Sequence, residues 1–245
     1  MTVGKPTKSQ SAALLLYHLS RLKQLQLEQG DGNLRPEMRL LRRWQSVRLA
    51  RTHADLLQNT RYRPAVEFFL AELYGDKDFS QRDHDVERAY PIIIRTMPAG
   101  VLHNVAMAVE LNALSCELDA ELLGVLCEEF GFRDQLDEDT YVGAYRYCNH
   151  YDRRIRQIEL IHILGTGLSK VVQNPLVYAT LLLARTPAYL AGFGELHEFI
   201  EWGFRAFRHV GDATEFLSTI VSRERQILDR IYAHHPRPFE LEESA

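Results

Sequence analysis

Apolar residues recur along nearly the whole chain at the three-to-four-residue spacing of helices. Nowhere do they alternate between regularly spaced turn signals as in strands, so the sequence predicts an all-α protein. Leu15, Leu19 and Leu22 form one stripe of a first helix, capped by Ser9 or Ser11 and ending at Gly30, before a loop at 30–33. Pro36 opens a second helix to about Asn59, with Leu40, Trp44, Val47, Ala54 and Leu57 inward. A third helix spans 63–75, with Pro64 in its first turn and Gly75 just past its end. Ser80 starts a fourth, which Pro91 should kink or break. Pro98 begins the longest pattern, reaching Gly131 or breaking near Asp119. Asp137 or Asp139 opens a helix over 141–150, and residues 152–173 form the next. Pro175 restarts the chain for 176–185, before a turn-rich connector at 187–194. An amphipathic helix over 195–209 ends at Gly211, and residues 212–215 have capping-box spacing for a last helix to about His234. We expect a single-domain helical bundle of eight to ten helices over residues 1–235, followed by a loose polar tail at 236–245.

The segment 63–75 stands apart because it is apolar on two sides. Val66, Phe69, Leu70 and Leu73 share one face, while Phe68 points almost the opposite way, beside Ala71 and Glu72. Such a helix is either sandwiched between layers or presents an aromatic to a partner. In the helix over 195–209, Leu196, Phe199, Ile200, Gly203 and Phe207 build an inward face, and Trp202 falls among polar positions. Tryptophan is enriched at binding hot spots. Phe68, Glu72 and Trp202 are therefore the candidate interaction residues.

The run Phe68-Phe69-Leu70-Ala71-Glu72-Leu73-Tyr74, with the stretches 88–98 and 187–211, resembles the FFLEELY-KPW motif proteins. Ala71 stands where that motif has an acidic residue, and Asn174-Pro175-Leu176 stands where Lys-Pro-Trp would fall. The resemblance implies a helical bacterial protein and provides no catalytic residues.

The 245 residues carry a net charge of −4, which favours neither nucleic acid nor a membrane surface. That sum hides an asymmetry: residues 1–61 carry +7 and the remainder −11, so the basic N-terminal part is expected to dock on the acidic remainder, in the same chain or in a neighbouring one. Six arginines lie between 35 and 51, scattered around the helix in a way that suits ion pairs at a core edge and not a nucleic-acid face. Cys116, Cys127 and Cys148 form no CxxC pair and suit reduced thiols in a cytoplasmic protein. No run is long and apolar enough for membrane insertion.

Metal chemistry has one candidate. Glu159 and His162 have the Glu-x-x-His spacing of carboxylate-bridged di-iron bundles, and His103, Glu110, Glu117 and Glu121 line one stripe of the helix from Pro98. Facing stripes would make an iron or manganese oxidoreductase using His103, Glu110, Glu159 and His162. Against it, a second Glu-x-x-His is missing, and both stripes fall on the polar sides of their helices. Nucleotide-binding glycine loops and nucleophile elbows are absent. The leading expectation is a non-enzymatic protein-binding or scaffold module, a homo-oligomer or bound to a protein partner, with no cofactor. An apolar pocket for a small lipid or isoprenoid is a third reading.

Overall fold

A 30-residue helix, α6 (Ala99–Glu128), runs through the middle of the fold because its sequence is apolar on nearly every side. In the computed structural model, which describes residues 6–29, 35–72 and 80–241, it is continuous past Asp119. The first half of α6 packs on α1 (Lys8–Gln29) and α5 (Ser80–Thr96): Leu102, Ala106, Val109 and Ala113 meet Leu15, Leu19, Leu22 and Ile93. Its middle packs on α8 (Tyr151–Val171) through Leu114, Leu118 and Leu160. Its end packs with α2 (Pro36–Thr52) and α7 (Glu138–Cys148) around Leu122, Leu126, Leu41 and Tyr141. A second core gathers α3 (Ala54–Gln58), α4 (Arg63–Glu72), α10 (Gly194–Val210) and α11 (Thr214–Tyr232) around Phe204, Phe207 and Phe216. The eleventh helix among the described residues, α9 (Pro175–Leu190), rests on α10. No strand occurs among them, so the chain is all-α. The expected loop at 30–33 and the end of the aromatic segment at 73–75 lie outside the described residues.

Several local expectations are corrected. Thr7 and Gln10 cap α1 reciprocally, each side chain accepting the other's backbone N–H (2.8 and 3.2 Å), in place of Ser9 or Ser11. The helix expected over 36–59 is interrupted at His53, whose ring is drawn in to Glu224 at 3.0 Å. The buried face of α2 is Met38, Leu41, Gln45 and Leu49, and Val47 is exposed. α5 passes through Pro91, which sits on its exposed side while Ala89 and Ile93 hold the helix to the core. Asp137 does cap α7, accepting from Thr140 N at 2.8 Å. No capping box forms at α11: Asp212 accepts from Thr214, and Glu215 accepts from the Tyr62 hydroxyl at 2.7 Å.

The charge asymmetry is resolved within the chain. Arg21 pairs with Glu117, Lys23 with Glu87 (2.7 Å), Arg48 with Glu224 (2.7 Å) and Arg51 with Glu138 (3.1 Å). Arg61 donates to the carbonyls of Val210 and Asp212, both at 2.8 Å.

α8 and α11 approach closely at Gly165, where an added Cβ would overlap the side chain of Leu217, itself fully buried. Gly165→Ala should therefore lower unfolding free energy by about 1–3 kcal/mol through overpacking, although alanine favours a helix by roughly 0.5–1 kcal/mol. The shift of the urea midpoint measures it; an unchanged or raised midpoint would contradict this packing.

Candidate functional site

The sequence starts α9 firmly. Asn174 caps it by accepting from Leu176 N at 3.0 Å, and Pro175 occupies the first turn, where a missing N–H costs nothing. The helix then continues through Pro187 to Leu190, beyond the expected end at Arg185 and into the expected connector. Pro187 deprives the Leu183 carbonyl of its helical partner, a loss that water offsets on an exposed helix. Gly192, at φ 77, turns the chain, and its N–H reaches Tyr189 O at 3.0 Å. Arg88 of α5 holds this turn, with its guanidinium 4.8 Å from the Phe193 ring and 3.3 Å from Ala191 O.

α9 is fastened along one side. Tyr178 stacks on Phe204 at 5.5 Å, Arg208 lies 4.6 Å over the Tyr178 ring, and Leu181 packs on the same core. The Tyr189 hydroxyl donates to Glu198, which raises the Tyr189 pKa. Among the described residues nothing covers the other side. Leu176, Leu183 and Leu190 are 76, 80 and 86% exposed, and their seven-residue spacing sets them in one line. Leu182 and Val177 flank that line and are exposed too. No residue of this apolar helix is buried.

The interaction residues expected from the sequence converge, but on each other. Phe68 is buried, and its ring meets Trp202 edge-on at 5.5 Å and Phe199 at 5.4 Å. The approach needs Gly203, where a Cβ would lie 2.8 Å from Phe68 Cζ. Glu72 accepts from Arg82 at 3.3 Å, and Arg82 stacks 4.5 Å over the Phe199 ring. Burial lowers the Arg82 pKa. Phe68 thus faces α10 of its own chain where an exposed contact was one expectation, and α4 is sandwiched between the Phe207–Phe216 core and this seam.

The carboxylates of Glu110 and Glu117 in the α6 stripe are largely withdrawn from solvent, while Glu121 at its end is exposed. Glu110 takes a bidentate pair from Arg156 (2.8 and 3.1 Å), which raises the arginine pKa, and lies 3.6 Å from His18. Burial keeps His18 below its ordinary value. Glu117 accepts from Arg21 and Arg153, and Glu121 from Arg153 at 2.7 Å. Arginines on α1 and α8 thus take the lone pairs a metal would need. Glu159 and His162 are exposed, Glu159 pairing at 3.7 Å with the Arg156 that holds Glu110, and no group of three or more His, Cys, Asp or Glu among the described residues is arranged to hold a metal. The quartet His103, Glu110, Glu159 and His162 is not assembled.

A centre that sequence reasoning missed joins α2 to α11. Arg48 Nη1 lies 2.7 Å from both oxygens of Glu224, and His53 adds a contact at 3.0 Å. Burial alone would raise the Glu224 pKa, but Arg48 and His53 outweigh it and hold the group at about 2. The pair borders a cavity of about 40 Å3 whose lining mixes Gln45, Arg154 and Gln157 with Ile161, Ile227 and Leu228, too small for an isoprenoid. Phe239 closes that cavity: it is buried, 5.9 Å from Trp44, inside the segment expected to be loose. Burial pushes the Cys116 thiol up to about 12, which makes it inert packing.

The family model "Domain of unknown function (DUF8198)" matches residues 24–238, and the chain belongs to that family. No curated protein and no solved structure matches it. Among the described residues no helix is long and apolar enough to cross a membrane.

Proposed function

We propose that this member of a domain family of unknown function is a non-enzymatic protein-binding module that docks its partner on the outer face of α9. One observation carries the reading: an apolar helix buries none of its residues and lines up three leucines in solvent. Covering one such side chain is worth about 1.5–3 kcal/mol, and folded monomers rarely leave apolar patches beyond a few hundred Å2 open. The rest of the fold suits a support. The aromatic seam braces α10, α10 carries α9, and the α6 carboxylates that could serve chemistry are held in ion pairs with arginines.

A photo-crosslinking side chain at position 183, compared with one at the exposed Arg225 of α11, tests this in the native host. A protein adduct from 183 and none from 225 is the expected result. Absence of any adduct from 183 would overturn the reading. Leu183→Asp should leave stability within about 0.5 kcal/mol, since the side chain is exposed and free of caps and ion pairs.

A further inference from the structure

Building on that docking reading, we infer that the occupant of the α9 face is a second copy of this chain, paired antiparallel about a two-fold axis at Leu183. An isologous interface needs a patch complementary to itself. The outer stripe of α9 reads almost the same in both directions from Leu183: Thr180 and Thr186 lie three residues away, Ala179 and Pro187 four, and Leu176 and Leu190 seven. All are exposed. The two-fold sets Leu183 against its counterpart, Leu176 against Leu190, and the small Ala179 beside Pro187. Close helix approach follows, and the Thr180 hydroxyl already donates to Leu176 O at 2.8 Å, so it needs no partner across the interface.

Charge favours the same occupant. The stripe has no ionised residue, so self-pairing opposes no like charges. Arg185, the one charged residue of α9, lies about 200° around the helix from Leu183. An anionic membrane surface would require several cations beside the apolar face. Area agrees as well. Leu176, Leu183 and Leu190 with the neighbouring exposed Leu182 and Val177 leave an apolar patch of roughly a few hundred Å2, the size that folded monomers rarely leave open.

Sedimentation equilibrium of the full chain in the micromolar range should give twice the 28.3 kDa chain mass, and Leu183→Asp should return it to one chain with an unchanged helical spectrum. Leu183→Cys should form a disulfide dimer by itself. Leu176→Cys and Leu190→Cys should do so only when mixed, each measured against the background of the three native cysteines. A single-chain mass for the unaltered protein, with position 183 crosslinking to a different protein, overturns self-pairing and leaves the docking reading standing. A single-chain mass with no adduct from 183 overturns both. A dimer that survives Leu183→Asp overturns the choice of face, and one that links Leu176→Cys to itself overturns the antiparallel register.

Discussion

Glu224→Gln lowers unfolding free energy by about 3–5 kcal/mol at neutral pH, because it leaves the Arg48 guanidinium in a largely buried site without its counter-charge. The glutamate side chain is 14% exposed, Arg48 Nη1 bridges its two oxygens, and His53 contacts one of them. The pH dependence has a definite sign. The folded pKa of about 2 lies below the ordinary carboxylate value of 4.5, so the unfolded chain takes up the proton first. The stabilisation is fully present above pH 4.5 and is lost as pH falls through that value toward 2; it amounts to about 3 kcal/mol. Urea unfolding at neutral pH and at several points below pH 4.5 measures it. The unaltered protein should lose stability steeply across that window, and the Gln variant should lose less. Equal slopes would show that Glu224 does not carry the effect. Replacing Arg48 and Glu224 together by apolar residues should cost less than the two single changes added, since neither charge is then stranded.

Phe68→Ala costs about 3–5 kcal/mol, the usual loss for a buried phenylalanine in a site that cannot collapse. Three aromatic neighbours surround the ring (Phe69, Phe199 and Trp202), and Gly203 presents its backbone beneath it. None can follow a shrinking side chain without leaving its own contacts: Phe199 is held under Arg82, and Phe69 is packed on Phe207 and Phe216. For a chain of this size the melting temperature should fall by about 10 °C or more. Phe68→Leu should recover much of the loss. Amide exchange should rise first in α4 and α10, the two helices the ring joins. A change of only a degree or two would mean that Phe68 does not hold this seam.

The site was legible in proportion to how local its causes are. The start of α9 was readable from Asn174 and Pro175, but its end was not, because Pro187 normally stops a helix and here tertiary support from Arg88 and the Gly192 turn carries the chain past it. Phe68 and Trp202 were readable as unusual, yet a helical wheel gives only an angle. It cannot say that Gly203 would bring α10 up to that angle. The α6 stripe was readable as carboxylates on one line, which suits both metal ligands and ion-pair acceptors. Only the docking of α1 and α8 put Arg21, Arg153 and Arg156 opposite them. Arg48 and Glu224 are 176 residues apart, and no local pattern links them.

By itself the sequence determined that the protein is helical, where most helices begin, and that its basic first quarter and acidic remainder carry opposite charge. Periodicity, caps and prolines act within a turn or two of the backbone, and net charge needs no geometry. The buried stripe of α1 could be read from Leu15, Leu19 and Leu22, but tertiary structure decided which face of α2 is buried, which carboxylates receive arginines, and that the apolar face of α9 meets no partner among the described residues. Those outcomes depend on which helices lie side by side. A helix with apolar residues on more than one side has several orientations that local forces make nearly equal, and only long-range packing separates them.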